Sequence, residues 1–193
     1  MNIRKYIPWI IVGLLVLWAI SKYNGIAGKD QAVKKSWGDV ESDYQRRMDL
    51  IPNLVNTVKG YANFEKETLT KVIEARASAT QMKVDASNLT PEALESFQKA
   101  QGGLSQALGR LMVVAENYPD LKANQNFLDL QSQLEGTENR INVSRKRFND
   151  AVQDYNTAIV GFPGNIIAMI GGFKEKGFFQ AAAGADRAPE VKF

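Results

Sequence analysis

From Trp37 onward, apolar residues recur at Trp37, Val40, Tyr44, Met48, Ile51, Val55 and Val58. Steps of three and four put them on one side of an α-helix, and the stripe predicts a first bundle helix starting near Asp30. Arg46, Arg47, Asp49, Pro52 and Asn53 lie in or beside that apolar face. Proline removes an amide donor, and a buried charge needs a partner. The stretch therefore encodes either a kink with a polar cluster or a surface for another molecule. Because the period survives Pro52, a single kinked helix is expected. The stripe resumes at Leu69, Val72 and Arg76. Pattern alone leaves open whether a loop at 60–65 divides it; an unbroken helix over 30–80 would be about 75 Å long.

Two further helices follow. Thr90-Pro91-Glu92 is a strong helix start, with Thr90 as N-cap and Pro91 at the first position. Leu94, Phe97, Leu104, Leu108, Leu111 and Ala115 form its stripe, and Tyr118-Pro119 ends it. Gly102, Gly103 and Gly109 either weaken this helix or permit close approach of a neighbour. The next helix is expected over 124–159, with Phe127, Leu130, Leu134, Ile141, Phe148, Val152, Tyr155 and Ile159 spaced close to a heptad seam. Glu138 and Arg145, seven apart, fall on that seam. They either sit at its edge and reach water, or pair with Arg46, Arg47 or Asp49 across the bundle, where an ion pair would fix alignment more than stability.

The chain ends differ from this bundle. Residues 6–23 read YIPWIIVGLLVLWAISKY, and 7–20 carry no charge. As a helix they would span about 27 Å, near the hydrocarbon thickness of a bilayer. Trp9 and Trp18 fit an aromatic belt, Trp18 rather deep. A signal peptide or a core helix would be the alternatives. However, no small-x-small cleavage site lies just after Ile20, and the rest of the chain is too polar to bury such a helix. Residues 1–5 form a short tail, and Gly25 and Gly28 mark an expected joint between the anchor and a bundle over 30–160. Arg4 and Lys5 favour a cytoplasmic N-terminus, while Lys22, Lys29, Lys34 and Lys35 favour the reverse. The former orientation, with the soluble part outside the cytoplasm, is preferred. Residues 161–180 form a short apolar helical segment carrying Ile166, Ile167, Ile170, Phe173, Phe178 and Phe179, whose apolar run over 166–170 is far too short to span. It either caps the bundle or touches the bilayer or a neighbour. Residues 181–193 are a tail rich in Ala and Gly.

Composition narrows the chemistry. The 193 residues include no Cys and no His, which excludes disulfides, thiolate metal sites and imidazole acid–base catalysis. A net charge of +3, with scattered basic residues, argues against nucleic acid. Asp49 and Glu138 are the one carboxylate pair worth weighing as an acid and a base. A narrow bundle seldom supplies the pocket such a pair needs. No calcium-loop spacing occurs, and no cofactor or small-molecule substrate is implied.

The chain resembles the LemA family of bacterial membrane-anchored proteins. The residues that carry the likeness are ordered: Trp37 and Val40, then RRMDLIPNLVNTVKGYA over 46–62, Glu74-Ala75-Arg76, Tyr118-Pro119 with Leu121, Thr137-Glu138-Asn139-Arg140-Ile141, Arg145, Asn149, Tyr155-Asn156 and Phe162-Pro163. They cover about 37–179; the tail lies outside them. The resemblance implies an all-α fold: an N-terminal transmembrane helix followed by an elongated, antiparallel, four-helix-like bundle with coiled-coil seams. It implies no enzymatic activity. It marks Arg46, Arg47, Asp49, Pro52, Asn53, Glu138, Asn139, Arg145, Asn149 and Asn156 as a polar cluster, to which physics assigns structural roles. The function expected is a membrane-anchored scaffold in the bacterial inner membrane that forms a homo-oligomer through its bundle. The alternatives are an accessory subunit of a membrane protease or envelope complex, and a lipid-contacting or membrane-remodelling protein. The residues expected to meet membrane or partner are Trp9, Trp18, Ile166, Ile167, Ile170, Phe173, Phe178 and Phe179.

Overall fold

The computed structural model describes residues 6–60 and 65–180. It comprises α1 (Ile7–Lys59), α2 (Lys66–Gln81), α3 (Pro91–Ala115), α4 (Pro119–Lys122), α5 (Gln125–Val160) and α6 (Gly164–Gly171), with no strand among the described residues. The all-α class follows from the 3.6-residue stripes; the Thr90 cap sits where the sequence puts it, and Asn124, expected as the first residue of its helix, is the cap before it. The Thr90 hydroxyl accepts from the Ala93 amide at 3.2 Å, and the Asn124 side chain accepts from the Phe127 amide at 3.1 Å.

Helices α1 and α5 are antiparallel and in register. Trp37 meets the Phe148 ring at 5.5 Å; ten residues on along α1, Arg47 meets Glu138, ten residues back along α5. Helix α3 runs alongside α1, with Phe97 against Trp37 and Tyr44, and Gln101 and Ser105 against Arg47. Helix α2 turns back after α1 and packs on α3. The result is an up-down-up-down bundle.

The expected joint at Gly25 and Gly28 does not form. Helix α1 runs through both glycines for 53 residues, about 80 Å at 1.5 Å per residue. A helical glycine costs about 1 kcal/mol, too little to break a helix whose next turns bury Ile26, Val33 and Trp37. The first stripe is divided after Lys59, and residues 61–64 fall outside the described set. A methyl group on Gly102, Gly103 or Gly109 would meet open space, so those glycines are not close-approach points.

The interior is two apolar clusters stacked along the rod. One holds Met48, Ile51, Leu54, Leu69, Leu104, Leu111, Phe127 and Leu134. The other holds Trp37, Val40, Tyr44, Leu94, Phe97, Ile141, Phe148 and Tyr155. Helix α2 is only 16 residues long and serves the first cluster alone. The fourth side of the second cluster is filled by Val84 and Leu89 of the connector and by Phe179 from beyond α6.

The C-terminal region corrects a second expectation. Only Gly164–Gly171 of residues 161–180 is helical; residues 173–180 form a strap laid along α5. Asn156 holds Lys176 and Asn149 holds Phe179. Three strap residues thus cover seven helical residues, about 10 Å, which is the rise of a fully extended chain.

Candidate functional site: a buried arginine, a clamped strap and an apolar base

Between the two apolar clusters lies one polar layer. Arg47 is only 2% exposed. Its guanidinium donates to the Glu138 carboxylate at 2.8 Å, the Ser105 hydroxyl at 2.9 Å and the Gln101 side-chain oxygen at 2.8 Å, and lies 4.9 Å from the Tyr44 ring centroid. Its Nε and the Trp37 Nε1 are buried without a hydrogen-bond partner. Burial pushes the Tyr44 hydroxyl above its usual value, with the charges of Arg145 and Arg47 opposing. Of the candidate partners for Glu138, the structure selects Arg47. Arg46, Asp49, Asn53 and Asn139 are exposed, and Asp49 accepts from Gln45, one turn back. Asp49 and Arg47 are two residues apart and face different sides of α1. Asp49 and Glu138 therefore do not converge, and no acid–base pair is built there.

Pro52 is half-buried inside α1. Lacking an amide hydrogen, it cannot donate to the Met48 carbonyl four residues back. That carbonyl instead accepts from Arg76 Nε of α2 at 3.1 Å. The proline frees a backbone acceptor, and the second helix docks on it.

Arg145, Asn149 and Asn156 hold the strap. The Asn149 side chain donates to the Phe179 carbonyl and accepts from its amide, both at 2.9 Å. Asn156 treats Lys176 the same way, at 2.8 and 3.0 Å. Arg145 donates to the Gln180 carbonyl at 2.9 Å and lies over the Phe179 ring. It does not pair with Arg46 or Asp49. Gln98 of α3 donates to the same Gln180 carbonyl at 3.0 Å and accepts from the Gln180 amide at 3.2 Å. Gly177 crosses the start of α3 so closely that a Cβ would fall 2.7 Å from the Pro91 Cα.

Phe179 is 5% exposed and stacks on Trp37 at 6.0 Å, so it is a core residue and not a membrane or partner contact. Lys176, 8% exposed, pairs with Asp30 of α1 at 2.9 Å. Burial raises the Asp30 carboxyl, but Lys176 and Lys34 outweigh it and leave the group below its ordinary value. Beside them Tyr155 donates to the Lys174 carbonyl at 3.0 Å. Burial and the Asp30 charge push its hydroxyl up to about 12.

At the N-terminal end of α1 the leader is bare: Trp9 is 75% exposed, and no residue before Ile26 is buried among those described. The leader is the one described helix stretch long and apolar enough to cross a membrane. Helix α6 sits at its foot, with Phe173 tilted against the Tyr23 ring at 5.3 Å. Ile166, Met169 and Ile170 face outward, Ile167 is half-buried, and Phe178 is exposed on the strap.

A sequence model of the LemA family matches residues 36–193. The chain belongs to the LemA family. The match runs through the tail, which the motif residues had left outside. This LemA-family chain is similar to magnetosome protein MamQ 2 of Paramagnetospirillum magneticum, with 28% identity over 86% of this chain and 68% of that protein. It is similar to magnetosome protein MamQ of Magnetospirillum gryphiswaldense at 27%, over the same shares. It is also similar to protein LemA of Metamycoplasma hominis, at 23% over 90% of this chain and 75% of that protein. Membership, the all-α fold and the bare apolar leader together make this a membrane-associated helical protein.

Several residues of this LemA-family chain escaped the sequence reading: Asp30, Gln98, Gln101, Ser105, Lys176 and Gly177. For Gln101 a signal existed. It occupies the stripe position between Phe97 and Leu104, where an apolar residue was due. Nothing local marked Asp30 and Lys176, which are 146 residues apart in the sequence.

Proposed function

We propose that this LemA-family chain is a non-enzymatic, single-pass scaffold of the bacterial inner membrane that works by associating with copies of itself. The observation that supports this is the unbroken passage of α1 from leader to bundle. A flexible joint would leave the bundle free to swing. A continuous helix sets its height and angle on the bilayer, so neighbouring rods would present the same faces at the same level. Confinement to a surface adds effective concentration without any new contact. The apolar seams are consumed inside the single chain, so association would use outward positions such as Val113, Val143 and the leader itself. Similarity to proteins named for the magnetosome fits a structural role at a membrane. Arg4 and Lys5 ahead of the leader favour a bundle outside the cytoplasm.

Crosslinking in native membranes tests this reading. A ladder of homo-oligomers is expected; a strictly monomeric product at every crosslinker dose would overturn it. One feature favours a second reading, an accessory subunit of a membrane complex. An open groove of about 890 Å³ lies between α3, α5 and the strap, lined by both signs of charge, including Glu95, Lys99, Arg145 and Glu175. A stoichiometric partner lost on charge reversal at Glu95 and Glu175, with the homo-oligomer unchanged, would favour it.

A further inference from the structure

We infer that α6 is a second membrane-contacting element: it lies in the headgroup–acyl boundary beside the foot of the leader, and the cleft between them takes a lipid acyl chain. The inference rests on the reading of the leader as bilayer-spanning.

Three observations carry it. The cleft, of about 500 Å³, is walled by Ala19, Ile20 and Tyr23 of α1 and by Ile167, Ile170 and Gly171 of α6. One wall is thus the last turns of the apolar leader itself, and the apolar surface continues from leader to α6 without a polar break. Second, the outward face of α6 is more apolar than a soluble bundle tolerates at its end. Phe162 is 83% exposed, Met169 77% and Ile170 76%, and together with Ile166 they are the turns that face away from the bundle. A contiguous patch of this kind marks a contact surface. Its position decides the partner, because it lies level with Tyr23, where an 18-residue span would leave the hydrocarbon.

Third, exposed lysines ring the same level. Lys22 precedes Tyr23, and Lys174 follows the Phe173 whose ring meets it. The nearby carboxylate of Asp30 is already engaged by Lys34 and Lys176. Apolar residues facing the acyl boundary, with exposed lysines at headgroup height, are the pattern of an interfacial helix on an anionic bilayer. The contact has a mechanical consequence. The continuous leader sets height and angle through one point; leader and α6 together hold that angle more firmly, because two points on the rod's base then meet the bilayer.

The absence of cysteine makes the test clean, since each single-cysteine variant carries one label. Full-length Met169→Cys, Leu14→Cys and Val113→Cys would be spin-labelled and reconstituted in vesicles of phosphatidylcholine and phosphatidylglycerol. Collision with oxygen, which partitions into lipid, is compared with collision with a water-soluble nickel chelate. The expected result is a lipid-like ratio at 14 and at 169, severalfold above the water-like ratio at 113. A water-like ratio at 169 with a lipid-like ratio at 14 overturns this inference and leaves the anchor standing. A water-like ratio at 14 overturns both. Dipolar broadening at 169 that disappears on dilution with unlabelled protein would mean that a second copy covers the face, which also overturns it.

Discussion

Replacing Asn149 with Ala removes two hydrogen bonds of 2.9 Å to Phe179, one donated and one accepted. Each is worth about 1 kcal/mol net, so the strap should lose about 2 kcal/mol of its hold. The loss should be local. Asn156, Tyr155, Gln98 and the Gly177 amide on the Leu89 carbonyl still retain the strap, and the Phe179 ring keeps its place against Trp37 and Phe148. Opening of the strap without unfolding of the bundle then becomes easier by about 2 kcal/mol, or about 30-fold in population at 1.4 kcal/mol per tenfold. Hydrogen exchange of the amides at 176–180 reads that population, and their exchange should accelerate by about that factor. Amides in the middle of α5 should not change. Asn149→Asp should be about as damaging as Asn149→Ala: the carboxylate keeps the bond from the Phe179 amide, but it cannot donate and sets a charged oxygen against the Phe179 carbonyl, which offsets the bond it keeps. Unchanged exchange at 176–180 in Asn149→Ala would refute the clamp. Equal acceleration throughout α5 would refute the locality.

Three other perturbations test the interior. Glu138→Gln should weaken the Arg47 contact by about 1 kcal/mol, at the low end for a charged hydrogen bond because the Glu138 side chain is 47% exposed; a double-mutant cycle in urea should show coupling to Arg47 and none to Arg46, and zero coupling to Arg47 would sink the assignment. Arg76→Ala should cost about 1 kcal/mol in the natural chain and less when combined with Pro52→Ala, since an amide at 52 can then satisfy the Met48 carbonyl; equal costs in both backgrounds would show that the proline plays no part in docking α2. The Asp30 carboxyl lies below its ordinary value in the fold, so its contribution to stability is present above about pH 4 and lost as pH falls through the folded value. Asp30→Asn should flatten the acid side of a stability-versus-pH curve, and an unchanged acid slope would count against the pair with Lys176.

What could be read in the sequence was whatever repeats with a period. The stripes in α1, α3 and α5 stand out because each buried position is reinforced by neighbours three and four residues away. Thr90-Pro91 stands out because a cap is a local contract between a side chain and an amide three residues on. The strap could not be read this way. Its residues have no period of their own, and their backbone groups are satisfied by Asn149, Asn156 and Gln98 from distant helices. Phe178 and Phe179 looked alike in sequence, yet one is exposed and the other fills the core, because an extended chain sends adjacent side chains to opposite faces. The joint at Gly25 and Gly28 failed for a related reason. Glycine marks where a helix can break, and whether it does depends on what is buried on either side.

The polar layer explains why the cluster around Arg47 belongs in an otherwise apolar rod. Two apolar cores stacked end to end resist sliding less than a polar layer does, since a shift by one turn exchanges one apolar contact for another. A single buried arginine changes that. Moved by one turn, its guanidinium would leave Glu138, Gln101 and Ser105 behind and lie unpaired among leucines, at a cost of several kcal/mol. The layer therefore adds little to stability and much to register, and register is what the strap needs: Asn149 and Asn156 of α5, Gln98 of α3 and Asp30 of α1 hold it only if those three helices stand at the right heights. On this argument a slip at Arg47 would propagate down the rod and reach the membrane-proximal end through the strap, which joins directly to α6. Damage to Arg47 should then appear first as faster hydrogen exchange at 176–180, before any loss of helix content.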